Sequence, residues 1–559
     1  MPIGSIRRRL GGVIVRHDDQ PGKGRTALGP VGGASRWQQI NVPPERIEQA
    51  GSEPSNWLTY SGSYRSWRYS ELDEITTRNV SGLTLAWSLR FRTGDPIEAS
   101  PIVVDGIMFL TVPVGEVLAV DAGTGDVVWR YNRSVPNDVS VCCGRVNRGV
   151  AVLNDRVFVG TLDGFLVALE AATGRVVWQT QVADYREGYS ITAAPLAARN
   201  KVIVGVAGGE YGIRGFLDGY DPTTGERAWR FHTIPEPGQL GADTWGGESW
   251  KTGGGPTWLT GSFDPTLGLL YWGVGNPSPD YNGDSRPGDN LFTASVVALN
   301  VDDGTLAWHF QFTPHDLHDW DANQIPVLVD HEVEGQPRQL MLWANRNGFY
   351  YVLDRRTGEF LHASSFVKQN WARSIDPNGR PILIPGMAPS ERGTLTWPGQ
   401  FGGTNWWSPS YSPKTDLVYV PFVEEPKVFF KGDEPDQNQP RRGQKILGGK
   451  VKSTGAPYQT GVRALHPVTG TVAWENLTGV RRGSGWTGGT LASAGNLVFF
   501  GDGSDFVAFD ARDGRELWRA DLGGFINASP VSFSVGGHQR VAVPAGNTLF
   551  VFRPFEPPR

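Results

Sequence analysis

The chain is predicted to be all-β, an eight-bladed β-propeller. Three observations predict it. A nine-residue hairpin pattern recurs seven times, an eighth unit is divided between the two ends of the chain, and no segment carries a strong helix signal. Gly is abundant at 73 and Trp at 21 of 559 residues, against 4 Met, which suits many tight turns and repeated aromatic packing.

The elements follow in chain order. Residues 1–55 are polar, Gly/Pro-rich and aperiodic, and are expected to form a flexible leader, with the propeller occupying 56–559. "LTLAW" at 83–87 has a strand and its Trp but no hairpin before it. Full units then follow: DAGTGDVVW from 121, EAATGRVVW from 170, DPTTGERAW from 221, NVDDGTLAW from 300, DRRTGEFLH from 354, HPVTGTVAW from 466 and DARDGRELW from 510. Each follows an alternating apolar run. The reading is a β-hairpin: a strand ends at the Asp-like position, Gly four residues on supplies positive φ, and the next strand carries an inward Trp. His362 replaces Trp in one unit. The end of the chain, "QRVAVPAGNTLFVF", has strands but no outgoing Trp, so joining it to 83–87 completes an eighth unit and closes a ring without exposed edges. The spacing between units is uneven. The excess lies in insertions around 232–260, 276–292, 370–405 and 424–460, and long loops on a rigid ring are usually functional.

The composition excludes several classes. Net charge is −5 with no basic stripe, which argues against nucleic acid. No apolar run approaches the 18 residues or so of a membrane span. The N-terminus has a basic cluster but no apolar core of a secretory signal.

The only two cysteines, Cys142 and Cys143, are neighbours. Adjacent Cα atoms sit about 3.8 Å apart, below the usual disulfide range of about 4.4–6.8 Å. A bond between them would staple nothing distant. They are either a local rigid apolar plate or two small free thiols, and spacing alone leaves both open.

The chain also carries "CCGRVNRG", "GGGPTWLTGSFDP", "YWGVGNPSPDYNGDSRPGDN", "FTPHDLHDWDANQ", "ANRNGFYYVLDR" and "GGTNWWSPSYSP", in that order. Over residues 56–559 it resembles the quinoprotein alcohol dehydrogenases, eight-bladed enzymes that use pyrroloquinoline quinone (PQQ). The resemblance implies a vicinal disulfide between Cys142 and Cys143 as one wall of the cofactor slot and Trp258 as the other. It implies rim contacts from Glu98, Arg148, Thr161, Gly208, Gly209, Asn405 and Trp486. Arg148 suits a carboxylate because its fork donates two parallel bonds. Taken alone, Thr161 would read as a strand residue and Glu98 as a surface charge.

The implied metal ligands are Glu210, Asn276 and Asp319, oxygen donors suited to a hard cation. Asp319 is also the implied base for the alcohol proton, with Arg346 stabilising developing charge. In the crowded "HDLHDWD", Asp316 is expected to be structural, and His315 and His318 to be satisfied loop residues. Asp321 stands two residues after Asp319. In the resembled family, calcium enzymes typically carry a small neutral residue there and lanthanide-dependent ones carry Asp. A lanthanide is therefore expected, with Ca2+ as the alternative. The other reading of Asp321 is a side chain turned outward onto a Lys or Arg.

The expected activity is oxidation of a small alcohol to an aldehyde, with electrons passing to a separate carrier such as a c-type cytochrome, since no C-x-x-C-H occurs in the sequence. A homodimer is compatible with the resemblance. A periplasmic location is implied as well, and a truncated start would account for the missing signal. Two competing classes are a non-catalytic scaffold propeller of outer-membrane protein assembly, which would lack the Cys pair, Trp258 and Asp319 as a set, and a membrane-anchored PQQ sugar dehydrogenase, which would bring N-terminal spans.

Overall fold

The computed structural model describes residues 40–433, 443–481 and 487–555. Among these, eight four-stranded antiparallel sheets form the blades. Blades 1 to 7 span 102–132, 151–181, 196–232, 262–311, 327–365, 410–481 and 490–521. Blade 8 takes three strands from 531–553 and its outer strand, Thr84–Arg90, from the other end of the chain. That outer strand runs antiparallel to Thr548–Arg553, with Trp87 opposite Val551. The ring closes as the divided eighth unit requires.

The hairpin pattern has a direct physical basis. The turn glycines, from Gly125 to Gly514, all adopt φ between 64° and 78°. The tryptophans are turned inward, but sideways, onto the turn of the next blade. A Cβ on Gly174 would lie 2.4 Å from the Trp129 ring, and Trp129 Nε1 donates to Ala171 O at 2.9 Å. The same contact recurs from Trp87 to Ala122 O, Trp178 to Pro222 O, Trp229 to Val301 O, Trp308 to Arg355 O and Trp474 to Ala511 O. In the variant unit His362 Nε2 bonds Thr469 O at 2.9 Å, so an imidazole performs the indole's task at a neighbouring carbonyl.

The boundary of the expected leader is corrected. Residues 40–55 pack on the propeller. Val42 pairs with Asn154, and the short helix Pro44–Glu48 buries Ile47. Arg46 on that helix bridges Glu53 and Asp105. The apolar side chains here are spaced too irregularly to show as a periodic element, and the rest of the leader lies outside the described residues. The segment beyond then ties the ring together. Trp57 pairs with Val103 of blade 1, Tyr69–Ser70 adds a parallel strand to blade 7, and Trp67 Nε1 donates to Leu328 O of blade 5.

Antiparallel connectivity gives the propeller two unlike ends. The Asp–Gly hairpins join third and fourth strands at one end. Connections between second and third strands, and between consecutive blades, gather at the other. All four long insertions belong to that second end. Two of them pair with each other, since Thr394–Thr396, Lys427–Lys431 and Gly449–Ser453 form one sheet.

Candidate active site

Every described site residue named from the sequence falls in the connections at the insertion-bearing end. Glu98, Cys142, Cys143, Arg148, Trp258, Asp319, Asp321 and Asn405 lie between blades. Thr161, Gly208, Gly209, Glu210, Asn276 and Arg346 lie between second and third strands. Trp486 lies outside the described residues. Residues as distant in the chain as Glu98 and Asn405 are thereby collected over one end of the ring.

The loop carrying Asp319 is built from its neighbours. Asp316, fully buried, accepts from the backbone N–H of His318 at 3.1 Å and of Trp320 at 2.9 Å. His318 stacks on Trp320, and its Nε2 meets Met387 O. His315 Nδ1 meets Gly288 O. These three residues shape the loop, as expected. Asp319 itself adopts φ +60°, a conformation Asp tolerates better than most residues.

Arg346 organises the acids. Its Nη1 donates to Asp321 Oδ2 at 2.5 Å, and its Nη2 donates to Gln400 O at 2.6 Å and sits 3.6 Å from Asp319 Oδ2. Gln400 Nε2 donates both to Asp319 Oδ2 at 3.1 Å and to the Tyr281 hydroxyl at 2.8 Å. Asp321 therefore does pair with an arginine, but inward, with its side chain only 6% exposed. Its Oδ1 accepts from the Asn276 N–H at 2.6 Å, and its Oδ2 also accepts from Trp258 Nε1 at 3.2 Å. A carboxylate has about four acceptor positions, so Oδ1 keeps one for a cation.

Burial pushes Asp319 well above the usual carboxylate range; Arg346 opposes this, and the charges of Asp321 and Glu210 add to it. Glu210 and Asp321 are raised as well, foremost by burial. Crowded buried carboxyl groups are what a cation relieves. Asn276 Oδ1 is buried with no partner among the described residues. The donors are all oxygen, which fits a hard cation. Gly209 is required here, because a Cβ would lie 2.5 Å from that Asn276 oxygen.

Two flat groups border this cluster. Cys142 and Cys143 are bonded to each other and solvent-exposed, unlike a packing pair. The Glu210 carboxylate lies within 4.8 Å of both sulfurs. Sulfurs bonded to each other are not thiolate ligands, so this trio marks a wall beside an acid and not a metal site of its own. Trp258 is tied to the acids through Asp321. Arg148 lies 4.9 Å from the centre of the Trp258 ring and forms a buried ion pair with Glu98 at 2.7 Å. This combination of an apolar plate, an indole and a guanidinium fits a planar polycarboxylate.

Two expected rim residues also bond within the chain. Thr161 Oγ1 donates to Asp163 Oδ1 at 2.6 Å, and Asp163 is paired with Arg133. Asn405 spends its amide on Phe401 O and the Trp406 N–H. Sequence reasoning missed Gln400, Tyr281 and Asp280. Only Asp280 had a signal, a carboxylate in the Pro- and Gly-rich stretch that holds Asn276.

Known proteins resemble this chain over most of its length. The family model "PQQ: Glucose/ethanol/alcohol dehydrogenase, beta-propeller domain" matches residues 57–366. A second, "Outer membrane protein assembly factor BamB", matches 459–553, where the chain is repeating blade. The chain is 40% identical over 520 residues to quinohemoprotein alcohol dehydrogenase ADH IIB of Pseudomonas putida, covering 89% of this chain and 74% of the relative. It is 38% identical to a 1-butanol dehydrogenase (cytochrome c) of Thauera butanivorans, covering 89% of this chain and 75% of the relative. A europium-containing methanol dehydrogenase superposes with TM-score 0.85 at 31% identity, covering 91% of this chain and all of the other.

Proposed function

The chain belongs to the PQQ-dependent alcohol dehydrogenase family, and from that premise we propose that it oxidises a small alcohol to an aldehyde with Asp319 as base and a metal ion beside the cofactor. The observation that carries this reading is the convergence of Asp319, Asp321 and Arg346 next to Trp258, with Glu210 joining the same cluster to the disulfide.

Glu210, Asn276 Oδ1, Asp319 and Asp321 would hold the cation, and Arg148, paired with Glu98, would meet a carboxylate of the cofactor. When bound, PQQ supplies the two-electron acceptor and the cation polarises its carbonyl. Asp319 takes the alcohol's hydroxyl proton. Gln400 fixes one Asp319 oxygen, leaving the other to receive it. Arg346 counters the negative charge that develops around this transfer. Burial of the whole group excludes water from the proton's path.

The metal is a lanthanide, with calcium as the alternative. Asp321 faces the site and adds an anionic donor, which suits a trivalent ion, and a europium-containing enzyme is among the similar structures. Electrons pass to a separate c-type cytochrome, a reading supported by the relative named for cytochrome c. The vicinal disulfide suits an oxidising compartment such as the periplasm.

Two variants separate binding from chemistry. Asp319→Asn should retain PQQ, followed by its absorbance, while turnover falls about 10²–10⁴-fold, the usual worth of a general base. Trp258→Ala should instead weaken PQQ retention. Wild-type turnover in Asp319→Asn would remove Asp319 from the role of base.

A further inference from the structure

Asp280 lies four residues beyond Asn276, in the connection between the second and third strands of blade 4. Its side chain is 1% exposed. Asp280 Oδ1 accepts from Asn276 Nδ2 at 3.0 Å. An amide gripped by its nitrogen presents its oxygen in the opposite sense. That oxygen, Asn276 Oδ1, packs against Gly209, next to Glu210, and has no partner among the described residues. Asp280 Oδ2 is likewise buried and without a partner among them. The orphaned buried oxygen of Asn276 calls for an explanation, and a hard cation supplies one.

Asp280 also shares the charge of the site. Burial first, then the charges of Asp319, Glu210 and Asp321, push its carboxyl well above the usual carboxylate range, a cost that a nearby cation offsets. Arg286 offsets part of this, while its guanidinium donates to the Asn290 amide and to the carbonyls of Pro279 and Asp316.

We propose that Asp280 is a positioning residue of the metal site, which locks the Asn276 amide with its oxygen toward the cation and contributes a fourth carboxylate that favours a trivalent over a divalent ion. This rests on the metal reading given above. An extra negative charge a few ångströms from the ion acts more strongly on charge +3 than on +2, so it sets selectivity as well as affinity.

The test is calorimetric titration of La3+ and of Ca2+ into metal-stripped, PQQ-loaded protein, for the wild type, Asp280→Asn, Asp280→Ala and Asp321→Ala. Asp280→Asn keeps an acceptor for Asn276 and removes the charge. It should lower the preference for La3+ over Ca2+ at least about tenfold. Asp280→Ala also frees the amide and should weaken both ions by a further 10–100-fold or so, the usual cost of losing an outer-shell partner. A purely structural role would not move the La3+/Ca2+ ratio, and if Asp280→Ala fails to fold, Asp280→Asn alone decides. Unchanged affinities and ratio in the Asp280 variants, with Asp321→Ala shifted, would overturn the role of Asp280 and leave the metal reading standing. No binding of either ion by the wild type would overturn both.

Discussion

The two ends of the propeller are built by opposite rules. At the hairpin end one contact is repeated around most of the ring: a Trp edge on a turn Gly, with the indole N–H on a backbone carbonyl. At the other end a backbone bond from strand four back to strand three repeats, as from Val182 N–H to Gly164 O and from Phe366 N–H to Gly348 O, but the acid cluster is made once. Buried acids from blades 3 to 5 and their connections face one arginine, and several buried polar atoms have no partner among the described residues. One end satisfies its polar groups internally and stabilises the ring. At the other end, on the reading proposed above, they meet a bound cation and cofactor. Variants at the two ends should therefore fail in different ways.

The largest separation is expected from Trp129→Ala. It removes a buried indole that packs on Gly174 and bonds Ala171 O, and should cost about 3–5 kcal/mol of stability in thermal or denaturant unfolding. PQQ affinity of the folded fraction should be unchanged. Replacing both Cys142 and Cys143 by Ser should do the reverse. A bond between neighbours closes almost no loop, so stability should move by less than about 1 kcal/mol. PQQ affinity should fall about 100-fold on loss of the wall, or about 2.7 kcal/mol. A Cys142/Cys143 double variant that loses several kcal/mol of stability yet binds PQQ with normal affinity when folded would erase the distinction between the ends.

Smaller effects sharpen it. Gly174→Ala puts a methyl group 2.4 Å from the Trp129 ring at φ 71°, and should destabilise by about 1–3 kcal/mol without touching the site. His362→Ala loses one bond to Thr469 O, and about 1 kcal/mol should go with it. A similar loss on replacing Trp178, whose indole bonds Pro222 O, would show that His362 substitutes fully for the indole.

The same contrast explains what could be read from the sequence. The hairpin end was legible because its interactions are local and repeated: Asp, Gly and Trp at fixed offsets specify the turn, the strand and the docking carbonyl. Even the divided eighth blade follows from ring closure. The proposed base was reached differently, through resemblance of motif, since nothing in "HDLHDWD" alone ranks Asp319 above Asp316. The structure ranks them, because both Asp316 oxygens are spent on backbone N–H groups while Asp319 faces Arg346 and Gln400. Gln400 and Tyr281 were invisible because their roles arise only when insertions 119 residues apart are brought together. Residues 40–55 were misjudged because a few buried apolar side chains, Val42 and Ile47 among them, anchor a segment whose composition reads as polar.

The measurement that bears most directly on the central claim is reconstitution. Protein prepared free of PQQ and metal is given an alcohol and an artificial acceptor dye, then PQQ, then La3+ or Ca2+. Dye reduction should be absent at first and appear only with PQQ and a metal together, more strongly with La3+ than with Ca2+. Undiminished alcohol-dependent dye reduction by the verified PQQ-free preparation would contradict the account.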